Sequence, residues 1–401
     1  MVAKYLYAFS FFFVLFACGA KPKPTSSTPY IFSVIDSKTK EKYASQIRAS
    51  YENVLGKRGF NGAILVAKNG EILFEDYQGF YDVKSKSPIT PTSTFHIAST
   101  TKTFTAMAIL KLWEEGKIEL DKTVDHYLPG FPYVDITVRM LLNHRSGLNN
   151  YAYFMVDKQL QAYKVKGKRG RWIKKYRTIK LPVVVKPGLV NNQDMLDFMI
   201  KYKPAVVFGA NRAFSYSNTN YALLALIIEK LSGKDYPTYL KDAIFTPLGM
   251  ENSYVFSQKD SVRYQPSYYA NNRPYLLEKF DCIYGDKNIY STVRDLLLWD
   301  KALYQGAFVS QTTLQMAFEP GSNERPSIHN YGLGWRMLNQ PDQKIIYHNG
   351  WWHGNNAVFS RFIKDTATII VLGNRFNRNI YKAKNIAGSF LSGFDSTSLA
   401  E

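Results

Sequence analysis

The stretch NGAILVAKNGEILFEDYQG, residues 61–79, holds two apolar, β-favouring runs on either side of Lys68-Asn69-Gly70. An Asn-Gly pair between such runs is the strongest short-range hairpin signal, because both residues tolerate the positive φ that a tight turn demands. A Lys- and Tyr-rich helix is expected just before it, over 36–56. Near the other end of the chain, KIIYHNG (344–350), NAVFSRFI (356–363) and ATIIVLGN (367–374) read as three further strands, followed by a helix over 381–391. Between these ends the apolar spacing is helical, at 103–116, 138–142, 194–201, 221–231 and 293–304. The pattern predicts an α/β (α+β) fold: an antiparallel sheet flanked by helices and completed by both termini, with an inserted all-helical domain. The expected boundaries are 36–95 and 288–395 for the α/β domain and 96–287 for the mainly helical one, with a cleft between them as the natural active site.

Composition limits the alternatives. The chain has 401 residues, 46% of them hydrophobic and 21% charged, with 25 Gly and 17 Pro, which excludes disorder, collagen and repeat arrays. Aromatic residues make up 15%, so the interior and its pockets should be rich in rings. The net charge of +19 is uneven. The window 158–186 contains eleven basic residues and no acid, leaving only +8 for the rest. A local run of this kind reads as a solvated loop or hairpin inserted in the helical part, not as a nucleic-acid footprint. If the window has a partner, an anionic surface is the first candidate.

Residues 1–17 carry one early Lys4 and then an uncharged apolar run, the pattern of a signal peptide. Leu15-Phe16-Ala17-Cys18 resembles a bacterial lipobox, so Cys18 is the expected lipidation site and 18–35, small, polar and proline-containing, the tether. The expected location is the bacterial cell envelope, exported and lipid-anchored. With Cys18 lipidated, Cys282 has no partner for a disulfide, and it is read as a small buried hydrophobe.

In PTSTFHIASTTKTFTAMAILKLW, residues 91–113, the quartet Ser99-Thr100-Thr101-Lys102 sits where an apolar helix starts. A spacing of three puts Ser99 and Lys102 on one helical face, and a desolvated lysine can serve as base to a serine nucleophile held at the positive end of the helix. Ser37-Lys38-Thr39-Lys40 matches the same pattern, but it lies in a polar stretch where its lysine stays solvated. Two later segments accompany the first: Tyr216-Ser217-Asn218, which opens another apolar helix, and His348-Asn349-Gly350, which ends a strand and is followed by Trp351.

In this order the three segments resemble the active-site elements of the serine β-lactamase and penicillin-binding protein superfamily, in its class C β-lactamase, D-alanyl-D-alanine carboxypeptidase and esterase branch. LLNHRSGL (141–148), FTPLGM (245–250), GDKNIYSTVRDLLLWDKAL (285–303) and YGLGW (331–335) also look like segments of that group. The resemblance implies that Ser99 is acylated while Lys102 and Tyr216 share the proton transfers. It implies further that Asn218 bonds a substrate amide, that His348 takes the place of the third element's basic residue, and that the backbone N–H groups of Ser99 and Trp351 form an oxyanion hole. Asn349, Gly350 and Trp351 complete the expected substrate-binding set. No cofactor or metal is implied, and the partner is a small-molecule or peptidoglycan-derived substrate.

The chain departs from the group's pattern at His348, where lysine is usual, at Asn349, where a hydroxyl residue is usual, and at Gly209-Ala210, where Pro-Gly is usual. Trp351 and Trp352 add bulk at the mouth. The expected activity is hydrolysis of a β-lactam, a D-amino-acid peptide or a small ester through an acyl-enzyme. The rival reading is a catalytically silent lipoprotein that keeps the fold as a ligand- or partner-binding module. A Gly-x-Ser-x-Gly elbow is absent from the chain, and the six histidines fall in no zinc-hydrolase spacing. His144 reads as a packed structural histidine.

Overall fold

The computed structural model describes residues 30–167 and 171–391. The expected signal peptide, Cys18 and most of the expected tether lie outside the described residues. The first helix, α1 (Ser37–Val54), starts where the Asp36 side chain accepts from the Thr39 backbone N–H at 2.9 Å. Its Ile47 and Tyr51 are buried at a spacing of four. The hairpin follows as β1 (Gly62–Lys68) and β2 (Glu71–Gln78), turning through Asn69 and Gly70, both at positive φ.

The remaining strands of the sheet come from the far end of the chain: β3 (His329–Tyr331), β4 (Arg336–Asn339), β5 (Lys344–Trp352), β6 (Asn355–Phe362) and β7 (Ala367–Gly373). The order is β3-β4-β5-β6-β7-β1-β2, antiparallel throughout. The two ends of the chain meet where β1 pairs with β7, from Gly62↔Gly373 to Lys68↔Ala367.

Both faces of the sheet are covered, so its central strands are apolar without alternation. Ala63 and Leu65 of β1 face the helices, in one core with Phe359, Leu110, Leu141 and Ile227. Ile64 and Val66 face the other way, towards α1 and the C-terminal segment, with Tyr347, Val371 and Ile380. The C-terminal segment, expected as a helix over 381–391, winds as a 3-10 helix over Arg378–Ser389.

Helix α2 (Thr101–Glu114) is buried on nearly every side, which takes Lys102 out of water, and its Phe104 stacks on Trp299 at 4.5 Å. Helix α3 (Asn218–Ser232) packs beside it, and α4 (Val293–Gln305) lies against the sheet. The helices expected at 103–116, 138–142, 194–201 and 221–231 all form, but the middle of the chain is not all helix. The basic window pairs as a hairpin, Lys158–Lys166 with Trp172–Lys180, and 264–288 runs through turns and bends. Pro266, Asn271, Asn272 and Pro274 in that stretch favour turns over helix. No described helix is long and apolar enough to cross a membrane.

Candidate active site

Ser99 lies in a 3-10 turn, Ala98–Thr100, that leads directly into α2. Ala98 has φ +48°, an uncommon conformation for a residue with a Cβ, and the neighbouring groups hold it there. The Ala98 N–H donates to His96 Nδ1 at 3.1 Å, and His96 Nε2 donates in turn to Asn288 Oδ1 at 3.1 Å. Burial lowers the His96 pKa to about 4, so the ring stays neutral and its Nδ1 remains an acceptor. The strand pairing of Phe95–His96 with Ile289–Ser291 fixes the same turn from below.

The Lys102 amine donates to Ser99 Oγ at 3.2 Å, to Asn218 Oδ1 at 2.8 Å and to the Asp286 carbonyl at 2.8 Å. One buried amine thus ties together the first two sequence segments and the stretch 285–303, in which the sequence reading assigns Asp286 no role. Asp286 is held in its turn. The Tyr151 hydroxyl donates to Asp286 Oδ2 at 2.9 Å, and the buried Lys287 amine donates to that hydroxyl at 2.9 Å and lies 4.8 Å from the Trp352 ring. Burial lowers the Lys287 pKa, while the carboxylates of Asp286 and Asp281 oppose that shift.

The Tyr216 ring lies 4.9 Å from the Lys102 amine. Behind it the His144 ring packs at 4.3 Å, and His144 Nδ1 accepts from the Ser217 N–H at 3.2 Å. His144 is fully buried, and burial, with Lys102, His348 and Arg336 nearby, keeps its pKa well below the ordinary value.

Strand β5 delivers the third segment. A Cβ on Gly350 would overlap the Ile97 carbonyl and come within 3.0 Å of Ala98 Cβ, so only glycine lets β5 approach the nucleophile turn this closely. Ser99, Tyr216, Asn218, Asn349, Gly350 and Trp351 all line one open cavity of about 790 Å³.

His348 departs from its expected place facing the substrate. It is 1% exposed and lies behind the cavity lining: Nε2 accepts from the Tyr331 hydroxyl at 3.2 Å and Nδ1 donates to the Asn349 carbonyl at 2.8 Å. Both ring nitrogens are occupied, and burial beside Arg336 and Lys102 holds its pKa far below the usual histidine range. The cation of the cavity lining near Tyr216 is instead Arg336, on β4, with its guanidinium 5.2 Å from the Tyr216 ring. The sequence offers little signal for it, since Arg336 reaches the cavity only through the register Arg336↔Tyr347 between β4 and β5.

The second Ser-x-x-Lys match stays outside the cavity. Ser37 and Lys38 are exposed on α1, and Lys40 bonds Glu71 at 3.2 Å. Cys282 is buried and free, with its pKa pushed up to about 11 by burial, the setting of an inert thiol. Among the described residues no group of three or more His, Cys, Asp or Glu could hold a metal ion.

A serine hydroxyl bonded to a buried amine, at the entrance to a helix packed against an antiparallel sheet, is the arrangement expected of a serine hydrolase. The model of the β-lactamase family matches residues 47–388, and the chain belongs to that family of serine hydrolases. Penicillin-binding protein 4* of Bacillus subtilis (strain 168) is 32% identical over 353 residues, covering 84% of this chain and 73% of that protein. Among solved structures, a penicillin-binding protein from Bacillus halodurans superposes with a TM-score of 0.68 at 21% identity, over 86% of this chain and 99% of that one. A D-amino acid amidase from Ochrobactrum anthropi SV3, complexed with L-phenylalanine amide, gives 0.64 at 22% identity, over 88% and 97%.

Proposed function

We propose that the protein cleaves an amide or ester bond through an acyl-enzyme on Ser99, in a substrate whose carboxylate lies near the scissile bond: a β-lactam or a D-amino-acid peptide of peptidoglycan type. The observation that carries this reading is the Lys102 amine held 3.2 Å from Ser99 Oγ in a cavity that also presents Arg336. Ser99 Oγ attacks the carbonyl carbon. Lys102 and Tyr216 take its proton and pass it to the leaving group, and water then attacks the ester by the reverse path. The backbone N–H groups of Ser99 and Trp351 receive the developing oxyanion, each such donor being commonly worth about 10²- to 10³-fold in rate. Asn218, its Oδ1 held by Lys102, keeps its amide N–H₂ for a substrate carbonyl.

Arg336 supplies the permanent charge that a neutral, buried His348 does not, and its planar fork suits a carboxylate. Trp351, 62% exposed, offers an apolar wall at the mouth. These features, with the name of the penicillin-binding relative, favour carboxylate-bearing substrates over neutral esters. The proposed setting is the cell envelope: export through residues 1–17, a lipid on Cys18 and a tether over 18–35.

The test is turnover of a D-alanyl-D-alanine peptide, a chromogenic cephalosporin and a neutral aryl ester by wild type and Arg336→Gln. KM for the two carboxylate substrates is expected to rise about 10- to 100-fold in the variant, the cost of one charged hydrogen bond, with the ester unaffected. Turnover of the ester alone refutes the substrate class, and no turnover by folded protein leaves the binding module as the better reading.

A further inference from the structure

The hairpin Lys158–Lys166/Trp172–Lys180 is exposed along its second strand and places like charges directly opposite each other, Lys158↔Lys180 and Lys164↔Lys174. Opposed like charges weaken a strand pair, and a lone two-stranded hairpin is marginal in water to begin with. Lys164, Lys166, Lys174, Lys175 and Lys180 form no salt bridge with any described carboxylate. No described carboxylate neutralises these lysines, which leaves their charge available to an outside contact.

The aromatic residues narrow the partner. By register and alternation, Trp172, Lys174 and Tyr176 share one face with Lys164 and Lys166. Trp172 is 63% exposed and Tyr176 59%, each with a lysine amine near its ring, at 5.9 Å for Lys166 and 5.5 Å for Lys174. Tryptophan and tyrosine interleaved with lysine suit the boundary between headgroups and acyl chains, where the ring is half buried and the amine meets lipid phosphate.

Position adds a second argument. Ala152 and Tyr153, a few residues before the hairpin, line the catalytic cavity, and the Leu181 N–H to Asp157 carbonyl bond at 2.8 Å closes the hairpin's base beside them. With Cys18 lipidated as proposed above, residues 18–35 reach at most about 60 Å, so the domain stays within contact of a bilayer.

We infer that this hairpin docks on an anionic phospholipid surface and holds the rim of the catalytic cavity near the membrane. The test titrates the full chain with phosphatidylglycerol vesicles and with phosphatidylcholine vesicles, alongside the variant Lys164→Glu/Lys166→Glu/Lys174→Glu. A lipid anchor binds both vesicle types, so the readout is the preference between them. The wild type is expected to prefer phosphatidylglycerol by about tenfold or more at low salt, losing that preference at high salt. The triple variant is expected to show none, with turnover of a soluble substrate unchanged, which separates this surface from the hydrolase reading. Equal binding of wild type to both vesicles, an undiminished preference in the variant, or tighter binding to a single-stranded oligonucleotide than to phosphatidylglycerol overturns the inference.

Discussion

Lysine serves opposite ends in two regions of this molecule. In the cleft, Lys102 is fully buried and donates to three acceptors drawn from three distant parts of the chain. In the basic hairpin, Lys174 stands exposed opposite Lys164 with no described carboxylate bonded to it. The cleft shows what a fold must supply to bury an amine, namely a full set of hydrogen-bond partners. The hairpin shows that a charge left in water needs no carboxylate partner.

The same substitution in both places gives the largest contrast. Lys102→Met is expected to lower kcat/KM by about 10²- to 10⁴-fold through loss of the proton-transfer group, whereas Lys174→Met leaves it unchanged. Equal effects at the two sites would erase the distinction.

Acid sharpens the contrast next. The folded-state pKa of His96 lies near 4, below the ordinary 6.5, so the unfolded chain takes up a proton that the folded chain refuses. Stability should therefore be complete above about pH 6.5 and fall as the pH drops towards 4, by roughly 3 kcal/mol from this ring alone. His144 and His348, lowered in the same direction by burial, add to the loss. Urea midpoints measured across that range check it, and a flat profile would mean that the rings are not held neutral. The hairpin carries no histidine and contributes nothing to this slope.

Glycine gives the smallest contrast. Gly350→Ala drives a Cβ into the Ile97 backbone and should cost about 1 to 3 kcal/mol with a loss of activity. Gly167→Ala in the hairpin meets the flexible end of the Ile173 side chain at 2.6 Å, which can move, and the Arg171 carbonyl only at 3.4 Å, and should cost less than about 0.5 kcal/mol. Thermal unfolding of the two variants decides it.

Much of this architecture is legible in the sequence, for physical reasons. Asn69-Gly70 between apolar runs specifies the hairpin that begins the sheet, and the apolar β6 and β7 must be buried on both faces. Ser99, Lys102, Tyr216 and Asn218 are visible because each stands at the entrance to an apolar helix, where a polar residue is conspicuous. The rest depends on tertiary register. Arg336 reaches the cavity only through the pairing of β4 with β5, and His348 is withdrawn from it because the Tyr331 hydroxyl and the Asn349 carbonyl occupy its two nitrogens. The Asp286 carbonyl that completes the Lys102 shell is a backbone atom, invisible to any reading of side chains.

The central claim is that Ser99 is the nucleophile served by Lys102. Intact-mass analysis after incubation with a penicillin or a fluorophosphonate tests it directly. The wild type is expected to gain one equivalent of adduct, located on Ser99 by peptide mapping, and Ser99→Ala none. An adduct on another residue, equal labelling of Ser99→Ala, or no adduct on folded wild-type protein with either reagent would contradict the account.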